Sequence, residues 1–139
     1  MEISLVRRRL TETIDRAKKQ AAERRGRTDQ ASREFELFLQ KIAVPLFRQV
    51  ANALKADGYT FTVFTPSGSV RLMSDRAAED FIEVTLDTSD DPPRVMGQTS
   101  HNRGRRVIDS ERAIGTPDAM TEEDLLEFLL KELEAFVER

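Results

Sequence analysis

Two stretches of the chain carry apolar residues at spacings of three and four, the pattern of one helix face. The first is narrow and lies among basic residues: Ile3, Val6, Leu10, Ile14, Ala17 and Ala21. The second is heavier and stops before Gly58: Phe35, Phe38, Leu39, Ile42, Leu46, Val50 and Leu54. Glycine accepts the left-handed conformation that ends many helices. The pattern predicts an amphipathic helix followed by a core helix.

The connection between these stretches has two interpretations. At 100° per residue both apolar stripes point in nearly the same direction, which fits one long helix bent at Gly26. Gly26 followed by Thr28 and Asp29 also fits a helix end and a new N-cap, and we prefer two helices. Pro45 interrupts the second stripe without changing its phase, which indicates a kink within a continuing helix.

After Gly58 the apolar period changes to two, as expected for β-strands. Alternating runs cover 59–63, 70–73, 81–88, 94–101 and 105–114, and the turn signals between them include Pro66-Ser67-Gly68 and Asn102-Arg103-Gly104. We expect the second turn to be a three-residue hairpin loop. Thr121 and Asp124 have the spacing of a capping box, and the apolar positions from Leu125 to Val137 predict a final helix.

Helices on both sides of an uninterrupted strand region indicate an α+β fold. The prediction is one or two N-terminal helices, a five-stranded antiparallel meander sheet and a C-terminal helix packed on one sheet face. Residues 1–28 form a basic amphipathic helical arm, and residues 29–139 form the α+β domain. The first helix is not needed to cover the sheet, so we expect it to lie outside this core.

Composition excludes several classes of function. The 139 residues include no cysteine and one histidine, which argues against thiol catalysis, disulfides and common zinc or iron–sulfur sites. The N-terminal region has three consecutive arginines and no long apolar run, so we expect neither a signal peptide nor a membrane span, and a cytoplasmic location. We expect no cofactor and no bound metal.

The net charge of −3 conceals opposite charges at the two ends. Residues 1–33 hold ten Lys or Arg against five Asp or Glu, whereas residues 118–139 hold two against eight. The basic arm therefore has two interpretations. In the first interpretation, its cations bind phosphate groups. In the second, they face the acidic final helix of the same molecule or of a second one. We favour the second interpretation because the chain supplies its own counter-charge.

His101 is the starting point for any general-base proposal, because histidine changes charge near neutral pH. With a three-residue loop, His101 faces Arg105 and Asp109 faces Gly97, too far along the strand for a direct bond. We therefore predict no catalytic residue.

Two clusters of charged side chains are candidates for ligand binding. Arg103, Arg105 and Arg106 at the hairpin could hold an anion bidentately, although Arg71, Arg94 and Arg106 also suit cross-strand pairs with Glu83 and Asp87. Carboxylates around Asp75–Glu83 and Asp87–Asp91 lack the calcium-loop pattern and lie where polar turns are expected. We interpret the arginines as cross-strand partners of carboxylates and the carboxylate clusters as solvated surface residues.

Four large apolar residues fall on the sheet face opposite the core if the strands alternate regularly: Phe64, Met73, Phe81 and Met96. Such a patch indicates either a partner surface or a face covered by another element.

These patterns favour a non-enzymatic interaction protein that homodimerises, with no membrane contact. Its contact residues are the first helix stripe (Ile3, Val6, Leu10 and Ile14), with the outer sheet face as a second surface. The alternative is a nucleic-acid-binding protein that contacts phosphates, because the basic residues lack aromatic neighbours for base stacking. Its anion-binding candidates are Arg7, Arg8, Arg9, Lys18, Lys19, Arg103, Arg105 and Arg106.

Overall fold

A computed structural model describes residues 1–137. A helical stretch comprises α1 (Ile3–Phe38), a π-helical turn (Leu39–Ala43) and α2 (Val44–Ala56). It is followed by β1 (Phe61–Phe64), β2 (Ser69–Ser74), β3 (Phe81–Asp87), β4 (Arg94–Arg103), β5 (Arg106–Gly115) and α3 (Glu122–Val137). The strands form one antiparallel sheet in the order β1-β2-β3-β4-β5. The predicted α+β class and meander are confirmed.

A single helix, α1, runs through Gly26 without a break. The preferred prediction of two helices separated there is therefore wrong. The residues around Gly26 remain helical on both sides, and a Cβ at this position would meet no atom within 4 Å. One glycine costs a helix interior only about 1 kcal/mol, less than the hydrogen bonds lost by ending and restarting the helix. Because the helix continues, the predicted boundary between residues 28 and 29 lies inside α1.

Pro45 is accommodated by the π-helical turn rather than by a helix end. Proline has no N–H to donate to Lys41, and its ring would clash with that carbonyl in a regular α-helix. In the widened turn the N–H of Val44 bonds to the carbonyl of Leu39, five residues back. The helix then continues to Ala56 and is followed by Asp57 as the C-cap and by Gly58, which has a φ of 91°. The predicted glycine at this helix end is confirmed.

One face of the sheet forms the core. Val70, Leu72, Ile82, Val84 and Val95 are fully buried on it. They pack in one cluster with side chains of α2 and α3, among them Phe47, Leu125 and Leu129, which are fully buried as well. Both helices therefore cover the same sheet face.

The contact between α3 and the sheet depends on Gly97 in β4. A Cβ at this position would overlap the ring of Phe128. The helix is also held at its start by the predicted capping box. The Asp124 N–H donates to Thr121 Oγ1, and the Thr121 N–H donates to Asp124 Oδ2, both at 3.1 Å.

The β4–β5 hairpin has a shorter loop than predicted. Arg103 pairs with Arg106, and the two loop residues are Gly104, with a φ of 68°, and Arg105. Glycine at the first loop position suits a type II′ turn, which matches the twist of the strands. His101 therefore lies opposite Ile108, not Arg105, and Asp109 lies opposite Ser100, not Gly97.

The meander gives the sheet two distinct ends. The β1–β2 and β3–β4 turns lie at one end with the last residue of β5, and we call this the arm end because Arg27 of α1 contacts Asp91 there. The β2–β3 and β4–β5 turns lie at the opposite end, which we call the hairpin end. From the arm end, α1 projects away from the sheet.

Candidate interaction surface

The arm, defined as residues 3–27 of α1, is a helix whose apolar stripe packs against nothing in the described chain. Ile3, Val6, Leu10 and Ile14 remain 71%, 43%, 57% and 43% exposed. At 1.5 Å per residue the arm extends about 37 Å from the body. Large apolar side chains in water are unfavourable, and so many on one helix face mark a surface for a partner.

The exposed stripe is continuous with the stripe that forms the core. Ala31, Phe35 and Phe38 continue the same helix face, and all three are buried. The change from exposed to buried occurs where α1 reaches the arm end of the sheet. The arm surface is therefore an extension of the core-facing side of one helix.

The base of the arm is attached to the body by one bidentate ion pair. Arg27 Nε donates to Asp91 Oδ1 at 3.0 Å, and Arg27 Nη2 donates to Asp91 Oδ2 at 2.6 Å. This hydrogen bonding lowers the pKa of Asp91 and raises that of Arg27. The pair was not predicted, since the partners lie 64 residues apart and neither sequence neighbourhood indicates the other.

Five basic residues nearer the free end of the arm are exposed and make no ion pair within residues 1–137. This holds for Arg7, Arg8, Arg9, Lys18 and Lys19. The acidic helix α3 instead contributes Glu132 to an ion pair with Arg112 at 3.2 Å. Among the residues that the structure describes, these five arm cations are therefore not paired with the acidic helix.

The two groups of anion-binding candidates lie at opposite ends of the molecule. Arg103, Arg105 and Arg106 lie at the tip of the β4–β5 hairpin, and the arm leaves from the other end of the sheet. Nine residue steps along β4 span about 30 Å, and the arm adds about 30 Å between Arg27 and Arg7. These cations do not form one patch.

The outer sheet face is partly covered by its own side chains. Phe64 is 42% exposed, whereas Met73, Phe81 and Met96 are half-buried. The Arg71 guanidinium lies 4.0 Å from the Phe81 ring centre and forms a 2.6 Å ion pair with Glu83. The predicted Arg71–Glu83 pair is thus confirmed, and Phe64 is the most exposed of the four apolar residues.

Arg106 does not form the predicted pair with a β3 carboxylate. It lies in β5 opposite Arg103, two strands away from Glu83 and Asp87. Arg94, by contrast, lies directly opposite Asp87. The error follows from pairing residues by charge alone, without the strand order.

His101 and Asp109 lie on opposite sheet faces. The His101 ring packs edge-on against Phe136 of α3, with ring centres 5.8 Å apart. Asp109 follows Ile108, the pairing partner of His101, and therefore points to the outer face. In residues 1–137 no three His, Cys, Asp or Glu side chains are grouped to hold a metal ion.

Comparison with known proteins adds no relative: no protein-family model, no curated protein and no solved structure matches this chain. No helix within residues 1–137 combines the length and apolar character needed to cross a bilayer.

Proposed function

We propose that this protein is a non-enzymatic interaction protein in which the arm joins two copies as a homodimer. The observation that carries the proposal is the unpartnered stripe of Ile3, Val6, Leu10 and Ile14 on a helix that projects from a complete core. An isolated helix is marginal in water, and a second helix packed on the stripe would stabilise it.

The arm is a better contact surface than the outer sheet face. On the sheet, Arg71 covers Phe81, the cross-strand partner of Met73, while Phe64 lies opposite Arg71 and Met96 lies opposite Thr85. On the arm, the apolar side chains form one row without a covering group. The outer face therefore has no required role in the proposed dimer.

Light scattering tests the proposal directly. We expect a dimer for the wild type, and a folded monomer for the double variant Leu10→Asp with Ile14→Asp, because two carboxylates in the stripe would be buried on association. Arg8→Asp with Lys19→Asp is a control, because both positions lie on the opposite helix face. A wild type that remains monomeric at high concentration would refute homodimerisation.

Phosphate-directed nucleic-acid binding is a second candidate, favoured by Arg7, Arg8, Arg9, Lys18 and Lys19, which form no ion pair with any residue of 1–137. Such contacts release counterions, so affinity should fall steeply as salt rises. Replacing Arg7, Arg8 and Arg9 by Ser should then weaken binding equally for all sequences and reduce the salt slope. Binding below micromolar concentration at physiological salt, lost in that variant, would make this the leading function.

A further inference from the structure

The arm stripe has nearly the same spacing read in either direction. Its positions are Ile3, Val6, Leu10, Ile14, Ala17 and Ala21, and the same helix face continues with two polar residues, Arg24 and, one residue past the arm, Thr28. Ile14 and Ala17 are equally far from the midpoint between Asp15 and Arg16, and so are Leu10 and Ala21. Ile3 and Thr28 are also equally far from this midpoint. Two such helices running in opposite directions can therefore align their stripes along the whole arm.

The size of the side chains changes at the same midpoint. The N-terminal half presents Ile3, Val6, Leu10 and Ile14, whereas the C-terminal half presents Ala17, Ala21 and Thr28 on the same face. In an antiparallel pair Ile3, Leu10 and Ile14 therefore face Thr28, Ala21 and Ala17, whereas Val6 faces the long side chain of Arg24. Large and small residues in facing positions interdigitate and keep the helix separation constant.

A parallel pair would match large with large at the N-terminus and small with small near the body. Helix separations range from about 8 to 10 Å with side-chain size, so the two helices would have to diverge along their length. A parallel pair would also place the two sheets side by side at the same end. The antiparallel pair places one sheet at each end of the paired arms.

We propose that the arms of two copies pack antiparallel, with Leu10 against Ala21 of the partner subunit and Ile14 against Ala17 of the partner subunit. This inference rests on the proposed homodimerisation and specifies its geometry. The second copy is the occupant because the two halves of one stripe complement each other in both position and size. The aliphatic part of the Arg24 side chain then packs on Val6 of the partner subunit, and its guanidinium group remains solvated.

Charge on the paired arms has a measurable consequence. Residues 1–33 have an excess of five basic residues, so two arms repel each other, and salt screens that repulsion. Dimerisation should therefore tighten as salt rises, whereas phosphate binding weakens.

Disulfide mapping tests the direction of pairing, since the natural chain has no cysteine. In an antiparallel dimer of the double variant Val6→Cys with Arg24→Cys, the two introduced thiols of different subunits face each other. Oxidation should yield peptides that join position 6 to position 24. Two thiols at position 6 would lie about 28 Å apart along the helices, far beyond the Cα separation of about 7 Å that a disulfide allows.

The matched control is Arg8→Cys with Glu23→Cys. These positions lie at corresponding levels on the helix face that points away from the stripe, so they should remain uncross-linked. Disulfides joining 6 to 6 and 24 to 24 would overturn the antiparallel geometry and leave homodimerisation intact. A dimer without specific disulfides would overturn it as well. A monomer in light scattering would instead refute the homodimer itself.

A charge reversal gives a second readout. Arg7 and Arg25 lie on the same flank of the stripe, and in the antiparallel pair Arg7 approaches Arg25 of the partner subunit. Arg7→Glu should replace this repulsion by attraction at two symmetric positions and lower the dimer dissociation constant about fivefold. In a parallel pair residue 7 approaches Glu2 of the partner subunit, and the same substitution should weaken the dimer. Weaker association would therefore overturn the proposal.

Discussion

The two halves of the N-terminal helical stretch share one periodicity and have opposite environments. In the body half, Phe35, Phe38 and Phe47 are buried against the sheet and α3. In the arm half, Leu10 and Ile14 continue the same face and are exposed. Hydrophobic spacing identifies the side of a helix that packs against other apolar side chains. It does not specify whether those side chains belong to the same chain or to another molecule. For the body half the partner is the chain itself.

The largest expected difference between the halves is the cost of removing a side chain. Phe47→Ala in the body should lower the free energy of unfolding by about 3–5 kcal/mol, because Phe47 is fully buried. Leu10→Ala in the arm should change it by less than about 0.5 kcal/mol at dilutions where the protein is monomeric. Urea titration measures both. Equal losses would show that the arm stripe packs within its own chain.

A smaller difference in unfolding free energy is expected when glycine is replaced by alanine in the body and in the arm. Gly97→Ala should destabilise the body by about 1–3 kcal/mol, because the added methyl group overlaps Phe128. Gly26→Ala meets no neighbour and should stabilise the helix by about 0.5–1 kcal/mol. Urea titration with circular dichroism reports both effects. A destabilising Gly26→Ala would mean that this position has a packing or binding role.

The smallest effect concerns the ion pair between Arg27 at the base of the arm and Asp91 in the β3–β4 turn. Because Arg27 lowers the pKa of Asp91, their pairing stabilises the fold above the unfolded aspartate pKa of about 3.9. The contribution is lost as pH falls through the lower pKa of folded Asp91. Amide exchange around residue 27 should be faster in Asp91→Asn than in wild type at pH 7. The difference should disappear in acid; identical exchange at pH 7 would show that the pair does not hold the arm.

Local signals predicted the ends of elements well. The Thr121–Asp124 capping box and Gly58 were found because each depends on residues within a few positions of one another. The same kind of signal misled at Gly26, where glycine and a following N-cap residue suggested a helix end. There the strong helix formers on both sides and the uninterrupted apolar phase outweighed the local preference.

The hairpin shows how a small error in a turn affects a whole strand. Assigning Asn102 to the loop gave the wrong partner for His101 and for Asp109, since each shift in register changes every cross-strand neighbour. The predicted absence of a His101–Asp109 bond still agrees with the geometry, but for another reason: the two side chains point to opposite faces.

The sequence by itself determined the order and type of the elements, the stripe along the first helix and the charge difference between the two ends. These depend on hydrophobic period, turn residues and composition, which are properties of neighbouring positions. Only the tertiary structure decided that Arg27 meets Asp91, that the hairpin arginines lie far from the arm, and that the stripe passes from core to solvent along α1. Those relations depend on where distant segments meet in space, because the same helical stripe is compatible with a buried face and with an exposed one.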